Sequence, residues 1–352
     1  MTASAAGFAA RFGLRWPIVQ APMAGGPTTP ELIIAVGAAG GLGSLGAALM
    51  PPSEIRAAAA AIRSRANTPF AINLFVLPPA NPEPGVVARA NERLVRLHTE
   101  VGLPPPSVPA NWGASLEHQI DAVLDVAPPV VSTHFGPPPP RLVAGCRARG
   151  ISIFATATTA DEAAHLEDCG IDAVVAQGAE AGGHRGSFLA AAEAPAIGTI
   201  ALVPSIVDRV RIPVIAAGGI MDGRGIRAAL ALGASAVQMG TAFLACPEAG
   251  THPLHKAALA TADGTMVTRG VTGRHARGLR NRLLETLDAD AEAAPDYPIQ
   301  NVLSAVLRTA AARGGRDDLM AMWAGQGHRL TRSEPARDLV ARWVAEAGLR
   351  GA

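Results

Sequence analysis

The segment of this chain best suited to chemistry is Gly178–Gly186, which reads Gly-Ala-Glu-Ala-Gly-Gly-His-Arg-Gly. It follows the run Ile171–Gln177, whose branched apolar residues predict a buried strand. The paired glycines Gly182 and Gly183 remove side chains, so a flat or anionic group can approach the backbone. His184 then presents an imidazole to that group, and an imidazole can transfer a proton near neutral pH. The segment therefore predicts an enzyme whose cofactor lies beside a proton-transfer residue.

Two further glycine-containing segments end predicted strands later in the chain. Gly218-Gly219 follows Pro213–Ala217, and Gly240-Thr241 follows Gln238 and Met239. Either segment alone is equally consistent with an ordinary turn between a strand and a helix. Their occurrence in consecutive units favours a phosphate site, because backbone amides and a helix N terminus attract phosphate oxygens. The loops after strands seven and eight of a (β/α)8 barrel commonly form such a cradle.

Polar side chains end three other predicted strands. Asn73 and Gln177 carry primary amides, which can pair with the edge of a heteroaromatic ring or can simply satisfy buried backbone groups. His134 closes the run Val130–Gly136, and in a barrel it faces the same mouth as His184. Neither histidine has Asp, Glu or Cys at ligand spacing, so no metal site is predicted.

The elements expected to position these residues alternate between short β-rich runs and Ala-rich helical segments. The runs are continuous in apolar character, as in strands that are buried on both faces of a parallel sheet. Eight such units predict an α/β protein, a (β/α)8 (TIM) barrel, with a doubly wound open sheet as the alternative. The predicted strands are Ile18–Ala21, Gly41–Ser44, Phe70–Phe75, Val130–Thr133, Ser152–Ala155, Ala173–Gln177, Val214–Ala217 and Ala236–Gly240.

Two segments interrupt the repeat and define the expected domains. Residues 1–245 are predicted to form the barrel, with a proline-rich insertion at about 78–111 around a helix at Val87–His98. Residues 246–328 are predicted to form a helical lid after strand eight, since long insertions in barrels lie over the active site. Residues 329–352 are expected to supply the helix that closes the barrel, at Ser333–Leu349.

Composition excludes several classes of protein. The chain has 352 residues, a formal net charge of +1 and 4% aromatic residues, so it carries no electrostatic footprint or stacking surface for nucleic acid. Three scattered cysteines fit neither a disulfide framework nor a zinc site. No secretory signal and no run of about 20 apolar residues is present, so we expect no membrane association and a cytoplasmic location.

One motif, Gly41–Gly46, matches the dinucleotide-binding fingerprint by its letters only. That fingerprint must follow a strand and open a helix. Here the helical run Glu31–Ala39 precedes the glycines, and Leu42–Leu45 itself looks like the strand. No acidic residue lies between Glu54 and Glu83 to bind a ribose. Dinucleotide binding at this motif is therefore not predicted.

Taken together, the motifs resemble the nitronate monooxygenase family, long called 2-nitropropane dioxygenases, which are FMN enzymes built on a (β/α)8 barrel. The resemblance covers nearly the whole chain and is specific in combination. It rests on Pro17–Gly25, Asn73–Phe75, His134–Gly136, Glu180–Gly186, Ala216–Ile220, Gln238–Phe243, Arg274–Arg282 and Met322–Gln326.

The resemblance implies that FMN lies across the barrel mouth and that His184 is the catalytic base. It also implies that His134 contacts the substrate. The implied cofactor-binding residues are Pro22 and Met23 near the isoalloxazine, Asn73 and Gln177 at its polar atoms, and Gly182, Gly183, Gly218, Gly219, Gln238, Gly240 and Thr241 along the ribityl and phosphate path.

The reaction implied by the resemblance is the oxidation of alkyl nitronates, and of nitroalkanes, by O₂ to carbonyl compounds and nitrite. The reactants are then a small molecule and O₂, and the oligomeric state is left open. Flavin-dependent enoyl-acyl carrier protein reductases share the Glu-Ala-Gly-Gly-His stretch, so reduction of a double bond by NADH or NADPH is the alternative. A barrel that binds flavin or phosphate without turnover, with His184 purely structural, is a third possibility.

Overall fold

The computed structural model describes residues 1–189 and 196–350, and its strands fall into two sheets. In chain order, the strands are β1 (Ile18–Gln20), β2 (Gly43–Gly46), β3 (Phe70–Phe75), β4 (Val130–His134), β5 (Ser152–Ala157), β6 (Ala173–Gln177), β7 (Gly183–His184), β8 (Val214–Ala217), β9 (Ala236–Met239), β10 (Thr265–Thr268) and β11 (Ala276–Leu279).

Thirteen α-helices are present among the described residues. They are α1 (Ala3–Arg11), α2 (Pro30–Ala38), α3 (Pro52–Arg63), α4 (Pro84–Glu100), α5 (Leu116–Val126), α6 (Pro140–Arg147), α7 (Ala160–Asp168), α8 (Thr199–Val207), α9 (Gly223–Ala231), α10 (Pro253–Thr261), α11 (Arg282–Asp288), α12 (Ile299–Arg313) and α13 (Ala336–Glu346). None of the helices described is long and apolar enough to cross a membrane.

Eight parallel strands form a closed barrel. Their order is β1-β9-β8-β6-β5-β4-β3-β2. A bridge between Val19 and Leu42 joins the two ends of this sheet. The Gln20 amide donates to the Leu42 carbonyl at 2.8 Å, and the Leu42 amide donates to the Ile18 carbonyl at 2.9 Å. The predicted (β/α)8 barrel is therefore confirmed, and Gly41–Gly46 contributes strand β2 rather than a helix start.

The strands are buried because their side chains are apolar on both faces. One cluster of buried residues lies between the strands and the surrounding helices, and a second fills the N-terminal end of the barrel around Phe154. The helix that closes the ring is α13, which packs against α2 and α9. Its Trp343 is 1% exposed and meets Phe243 edge-on at 5.0 Å between ring centroids.

The two insertions form one layer above the C-terminal ends of the strands, which we call the cap (residues 78–111 and 246–328). Leu94 and Leu97 of α4 share a core with Leu283, Leu287 and other residues from the second insertion. The domain boundaries at 245 and 328 remain a prediction, and residues 351–352 of the last predicted segment lie outside the described part of the chain.

The second insertion is not wholly helical, contrary to the expectation from sequence. Strands β10 and β11 form an antiparallel hairpin, and β11 continues onto β7 through pairing of Ala276 with His184 and of Arg277 with Gly183. The sequence does not predict this sheet, because β10 and β11 are only four residues long and the third strand, β7, is a Gly-His pair. Such short strands form through tertiary pairing rather than local preference.

Candidate active site

A cavity of about 880 Å³ lies between the barrel mouth and the cap. Every residue that the sequence singled out for the site contributes to its wall. These are Pro22, Met23, Asn73, His134, Gln177, Gly182, Gly183, His184, Gly218, Gly219, Gln238, Gly240 and Thr241. The structure thus brings together residues from the ends of six barrel strands, and the cavity falls within the size range of cofactor sites.

One end of the cavity presents backbone amides without partners. The amides of Gly219, Gly240 and Thr241 donate no hydrogen bond to any described residue. The N terminus of α8 is not available in the same way, because Glu180 accepts hydrogen bonds there from the Thr199 amide (2.9 and 3.0 Å) and hydroxyl (2.7 Å). Unpaired amides beside bare glycines suit an anionic group. A phosphate is therefore expected at Gly219 and Gly240-Thr241 rather than at α8.

The glycines before His184 serve two different purposes. A Cβ on Gly182 would lie 2.5 Å from the backbone of Ala324 and Gly325, so this glycine lets the cap pack onto the loop that carries His184. Gly183 has a φ of +74°, a left-handed conformation that glycine adopts readily. A Cβ there would have nothing within 4 Å and would project into open space. The open side at Gly183 leaves room for a ligand.

The primary amides differ in how much hydrogen-bonding capacity they retain. Gln177 uses both ends on the loop backbone: its Nε2 donates to the His184 carbonyl at 2.9 Å, and its Oε1 accepts from the Gly186 amide at 2.8 Å. Asn73 donates through Nδ2 to Ser132 Oγ at 3.0 Å. Gln238 lines the cavity and has no hydrogen-bond partner among the described residues. Gln177 therefore shapes the loop, while Gln238 has both amide atoms available for a ligand.

His184 lies at the centre of an aromatic enclosure. Its ring centroid is 5.3 Å from that of Tyr297, 5.6 Å from Phe135 and 5.7 Å from Trp323. Its Nε2 is 3.0 Å from Thr272 Oγ1. This enclosure shields much of the imidazole from solvent, and burial of a histidine disfavours its charged form.

The charge state of His184 follows from this setting. Burial lowers its pKa to about 3, and the positive charges of Arg274 and Arg308 act in the same direction, as does His134 when it is protonated. The imidazole is therefore neutral near pH 7 and keeps a lone pair that can accept a proton. A general base needs such a free lone pair, while the lowered pKa makes this imidazole a weaker proton acceptor than a solvent-exposed histidine.

His134 supports the backbone of the loop that carries His184. Its Nε2 is 3.1 Å from the main-chain oxygen of His184, and a carbonyl only accepts, so His134 carries its proton on Nε2. Burial lowers the pKa of His134 to about 4. The ring lines the cavity, as expected from sequence, but one of its two nitrogens is committed to the backbone of His184.

The cap contributes a cation that the sequence did not reveal. Arg308 of α12 donates from Nη2 to the carbonyl and Oδ1 of Asn301, both at 2.8 Å, and no described carboxylate pairs with it. Its Nη1 has no acceptor among the described residues and is not sealed from solvent. Burial lowers the pKa of Arg308 to about 10, so it still carries its charge at pH 7.

Tyr297 adds a second donor beside this cation. Burial raises the pKa of its phenol to about 12, so the hydroxyl keeps its proton.

The sequence pattern of α12 could have indicated Arg308, because Asn301, Ala305 and Arg308 form a stripe beside the buried leucines Leu303 and Leu307. A neutral base, a phenol and an unpaired guanidinium thus share one enclosed space.

Comparison with known proteins decides the family. A sequence model of the nitronate monooxygenase family matches residues 10–346 of the chain. A nitronate monooxygenase of Pseudomonas aeruginosa strain PAO1 is 44% identical over 98% of this chain and 99% of its own length. The chain belongs to the nitronate monooxygenase family. The resemblance inferred from the motifs is therefore confirmed.

Other nitronate monooxygenase relatives and solved structures agree with this assignment. A probable nitronate monooxygenase of Staphylococcus aureus strain Newman is 39% identical over 94% of each chain. The structure of a nitroalkane oxidase from Streptomyces ansochromogenes superposes with a TM-score of 0.89 at 40% identity, covering 97% of this chain and 98% of that one. FabK from Thermotoga maritima superposes with a TM-score of 0.75 at 28% identity, covering 97% and 96%.

Membership of the nitronate monooxygenase family establishes the broad activity. The family consists of flavin-dependent oxidoreductases that act on small molecules, and it supports oxidation of nitronates by this chain. An enoyl reductase domain from Bacillus amyloliquefaciens shares the fold at 14% identity with a TM-score of 0.69. At that level of identity the likeness concerns the fold alone.

Proposed function

We propose that this protein is an FMN-dependent enzyme that oxidises alkyl nitronates, and nitroalkanes after removal of a proton from carbon, with O₂ to give carbonyl compounds and nitrite. The observation that carries the proposal is the neutral imidazole of His184 facing the same cavity as the unpaired guanidinium of Arg308. A neutral base can take a proton from carbon, and a cation can hold the anion that results.

The cofactor is proposed to be FMN rather than FAD. The support is that the free amides of Gly219, Gly240 and Thr241 form a site for one phosphate group, and FMN carries one phosphate. Gln238 offers an uncommitted amide on the same wall, and the bare backbone of Gly183 leaves open space beside it. FMN held in this cradle would supply the redox chemistry between the substrate and O₂.

The protein side chains bind, orient and deprotonate the substrate. Arg308 Nη1 and the Tyr297 hydroxyl are placed to donate hydrogen bonds to the oxygens of a nitro or nitronate group. His184 takes the carbon-bound proton of a nitroalkane, whereas a nitronate has already lost that proton. The aromatic rings of Phe75, Phe135 and Trp323 exclude water, which strengthens the electrostatic interactions inside the cavity.

A cytoplasmic location is part of the proposal. It is supported by the three cysteines, Cys146, Cys169 and Cys246, none of which forms a disulfide.

Anaerobic titration of the purified yellow protein tests the reaction. Bleaching of the flavin by an alkyl nitronate, with none by NADH or NADPH, is the expected result. Bleaching by the nicotinamide alone would instead identify a reductase that acts on double bonds. If neither reagent bleaches the flavin, the barrel binds flavin without this turnover. Admission of O₂ after nitronate bleaching should restore the colour and release nitrite.

The cofactor is tested separately from the reaction. Heat or acid should release the flavin, because no covalent link is proposed, and chromatography against standards should identify it as FMN. Recovery of FAD, or of no flavin from a protein purified in the yellow form, would overturn the cofactor assignment.

A further inference from the structure

We propose that Thr272 fixes the tautomer of His184, with the proton on Nε2 and the lone pair on Nδ1, so that Nδ1 is the atom that accepts the substrate proton. This inference rests on the proposed function, in which His184 is the base. Thr272 touches neither the reacting atoms nor the cradle described above, so it acts as a positioning residue.

The direction of two hydrogen bonds assigns the tautomer. Thr272 Oγ1 donates to the carbonyl oxygen of Arg274 at 3.1 Å, and a carbonyl can only accept. A hydroxyl has one hydrogen, so Thr272 Oγ1 must act as an acceptor toward His184 Nε2, 3.0 Å away. His184 therefore carries its proton on Nε2. In a neutral imidazole the other nitrogen then carries the lone pair.

The remaining nitrogen of His184 is free. Nδ1 has no hydrogen-bond partner among the described residues, and it is not sealed away from solvent. The His184 side chain lines the cavity. The lone pair on Nδ1 is thus the one available to a substrate.

The loop that carries Thr272 is held firmly from the cap. Gln300 Nε2 donates to the Gly270 carbonyl at 3.0 Å, and Ser304 Oγ donates to the Val271 carbonyl at 2.7 Å. Thr272 itself is 1% exposed. These contacts tie the hydroxyl to α12, which is also the helix that carries Arg308.

The sharp turn after Thr272 depends on Gly273. This residue has a φ of +86°, and a Cβ there would lie 2.2 Å from the Pro295 carbonyl oxygen. The glycine lets the chain turn back so that the Arg274 carbonyl meets the Thr272 hydroxyl.

The backbone of His184 is fixed independently of its ring. Its main-chain oxygen accepts from Gln177 and His134, and its strand pairs with Ala276. Thr272 is the only described residue that hydrogen-bonds the imidazole itself. Because threonine is neutral, it orients the ring without adding a negative charge that would favour the imidazolium.

Nitrogen NMR of protein labelled with ¹⁵N-histidine tests the tautomer directly, with His184 assigned by its absence in His184→Asn. The wild-type protein should show the Nε2–H tautomer. Thr272→Val, which keeps the shape and removes the acceptor, should show a mixture of tautomers. Thr272→Ser should restore the wild-type signal. Thr268→Val is the matched control, since it removes another buried hydroxyl of the same hairpin without touching His184.

Kinetics give a second readout. Thr272→Val should lower kcat/KM for a neutral nitroalkane by about 3- to 10-fold, the worth of one hydrogen bond, and leave turnover of the preformed nitronate nearly unchanged. Flavin content and thermal unfolding identify a variant that has lost its fold. An Nδ1–H tautomer in the wild-type protein, or an unchanged signal in Thr272→Val, overturns the inference. If His184→Asn shows no selective loss on the nitroalkane, the base assignment fails while the NMR result still decides the tautomer.

Discussion

His134 Nε2 donates a hydrogen bond to the main-chain oxygen of His184 at 3.1 Å. The two histidines at the barrel mouth are therefore not equivalent. One holds the backbone of the loop, and the other presents its ring to the cavity with a nitrogen free. Sequence alone placed both at the same mouth, and the hydrogen bonds separate their roles.

Replacement of the proposed base should distinguish two kinds of substrate. We expect His184→Asn to keep the flavin and to lose about 10²- to 10⁴-fold in kcat/KM for a neutral nitroalkane, the usual contribution of a positioned general base. The loss on the corresponding nitronate should be far smaller, since that substrate needs no deprotonation. Steady-state kinetics on both substrates make the comparison, with exposed His118→Asn as the control.

Equal losses on the two substrates would mean that His184 positions the substrate rather than deprotonating it. No loss on either would leave His184 with a structural role only.

The phosphate cradle is tested by Gly219→Asp. The carboxylate would repel a phosphate and crowd Glu180, whose Cβ lies 3.3 Å from a Cβ built at this glycine. We expect FMN binding to weaken by at least about 100-fold, since the like charge and the displacement of the Gly219 amide from the phosphate each cost ~1–3 kcal/mol. Equilibrium titration of flavin-free protein with FMN measures the change.

Gly315→Asp is the matched control for this substitution. Gly315 has a φ of +70°, close to the +72° of Gly219, and a Cβ there meets nothing within 4 Å. Both variants therefore carry similar backbone strain, but only one lies in the cavity. Equal FMN affinity in the two variants would place the phosphate elsewhere.

The anion-binding role proposed for Arg308 predicts a change in substrate affinity. Arg308→Met should raise KM for a nitronate by about 10- to 100-fold, the worth of one charge-assisted hydrogen bond, with a smaller effect for the neutral nitroalkane. The fold should tolerate the change, because it removes a buried charge that no described carboxylate pairs with. Arg308→Lys keeps the charge but loses the planar guanidinium with its paired donors, so its KM should lie between those of the wild type and of Arg308→Met. An unchanged KM in Arg308→Met would contradict the assignment.

Stability should depend on pH through three histidines whose pKa is lowered in the folded protein. Burial lowers the pKa of His134 and His255 to about 4 and that of His184 to about 3. The unfolded chain binds protons at these residues below about pH 6.5, while the folded protein does not. The free energy of unfolding should therefore fall as pH falls from about 6.5 to about 4. Each histidine contributes up to about 1.4 kcal/mol per pH unit.

Urea unfolding of flavin-free protein at pH 7, 6 and 5 measures this dependence. His255→Gln should reduce the change of the unfolding free energy with pH by the contribution of one histidine. It leaves the proposed base, His184, in place. Parallel curves for the variant and the wild type would show that His255 binds protons equally in the two states.

The barrel was predictable because its signals are local. Runs such as Val130–His134 and Val214–Ala217 are continuous in apolar character, and the polar or glycine residues that end them mark the mouth. The family motifs added the cofactor class. The part of the site supplied by the cap was not predictable in the same way, because the hairpin brings Thr272 to His184 and α12 brings Arg308 to the cavity. Those contacts depend on pairing between distant segments, which no local pattern encodes.

Gln177 shows the limit of interpreting a residue by its type. An amide at a strand end fits a cofactor edge and a backbone contact equally well from sequence. In the folded chain both of its amide atoms are used within nine residues of their own position.

The pairing of β7 with β11 also restricts how substrates reach the cavity. Gly183 and His184 form the edge strand of the cap's own sheet. A hinged opening of the cap would therefore have to break the pairing between β7 and β11. Loss of that pairing would separate the imidazole from Thr272, because the backbone of His184 is bonded to Gln177 and His134 at the barrel mouth. Exchange of substrate and product is therefore expected where the cavity wall is open to solvent, as at the exposed residues Leu49 and Arg313. Substrate and product would then enter and leave without breaking the pairing of β7 with β11. The segment that carries His184 would keep its position through every turnover.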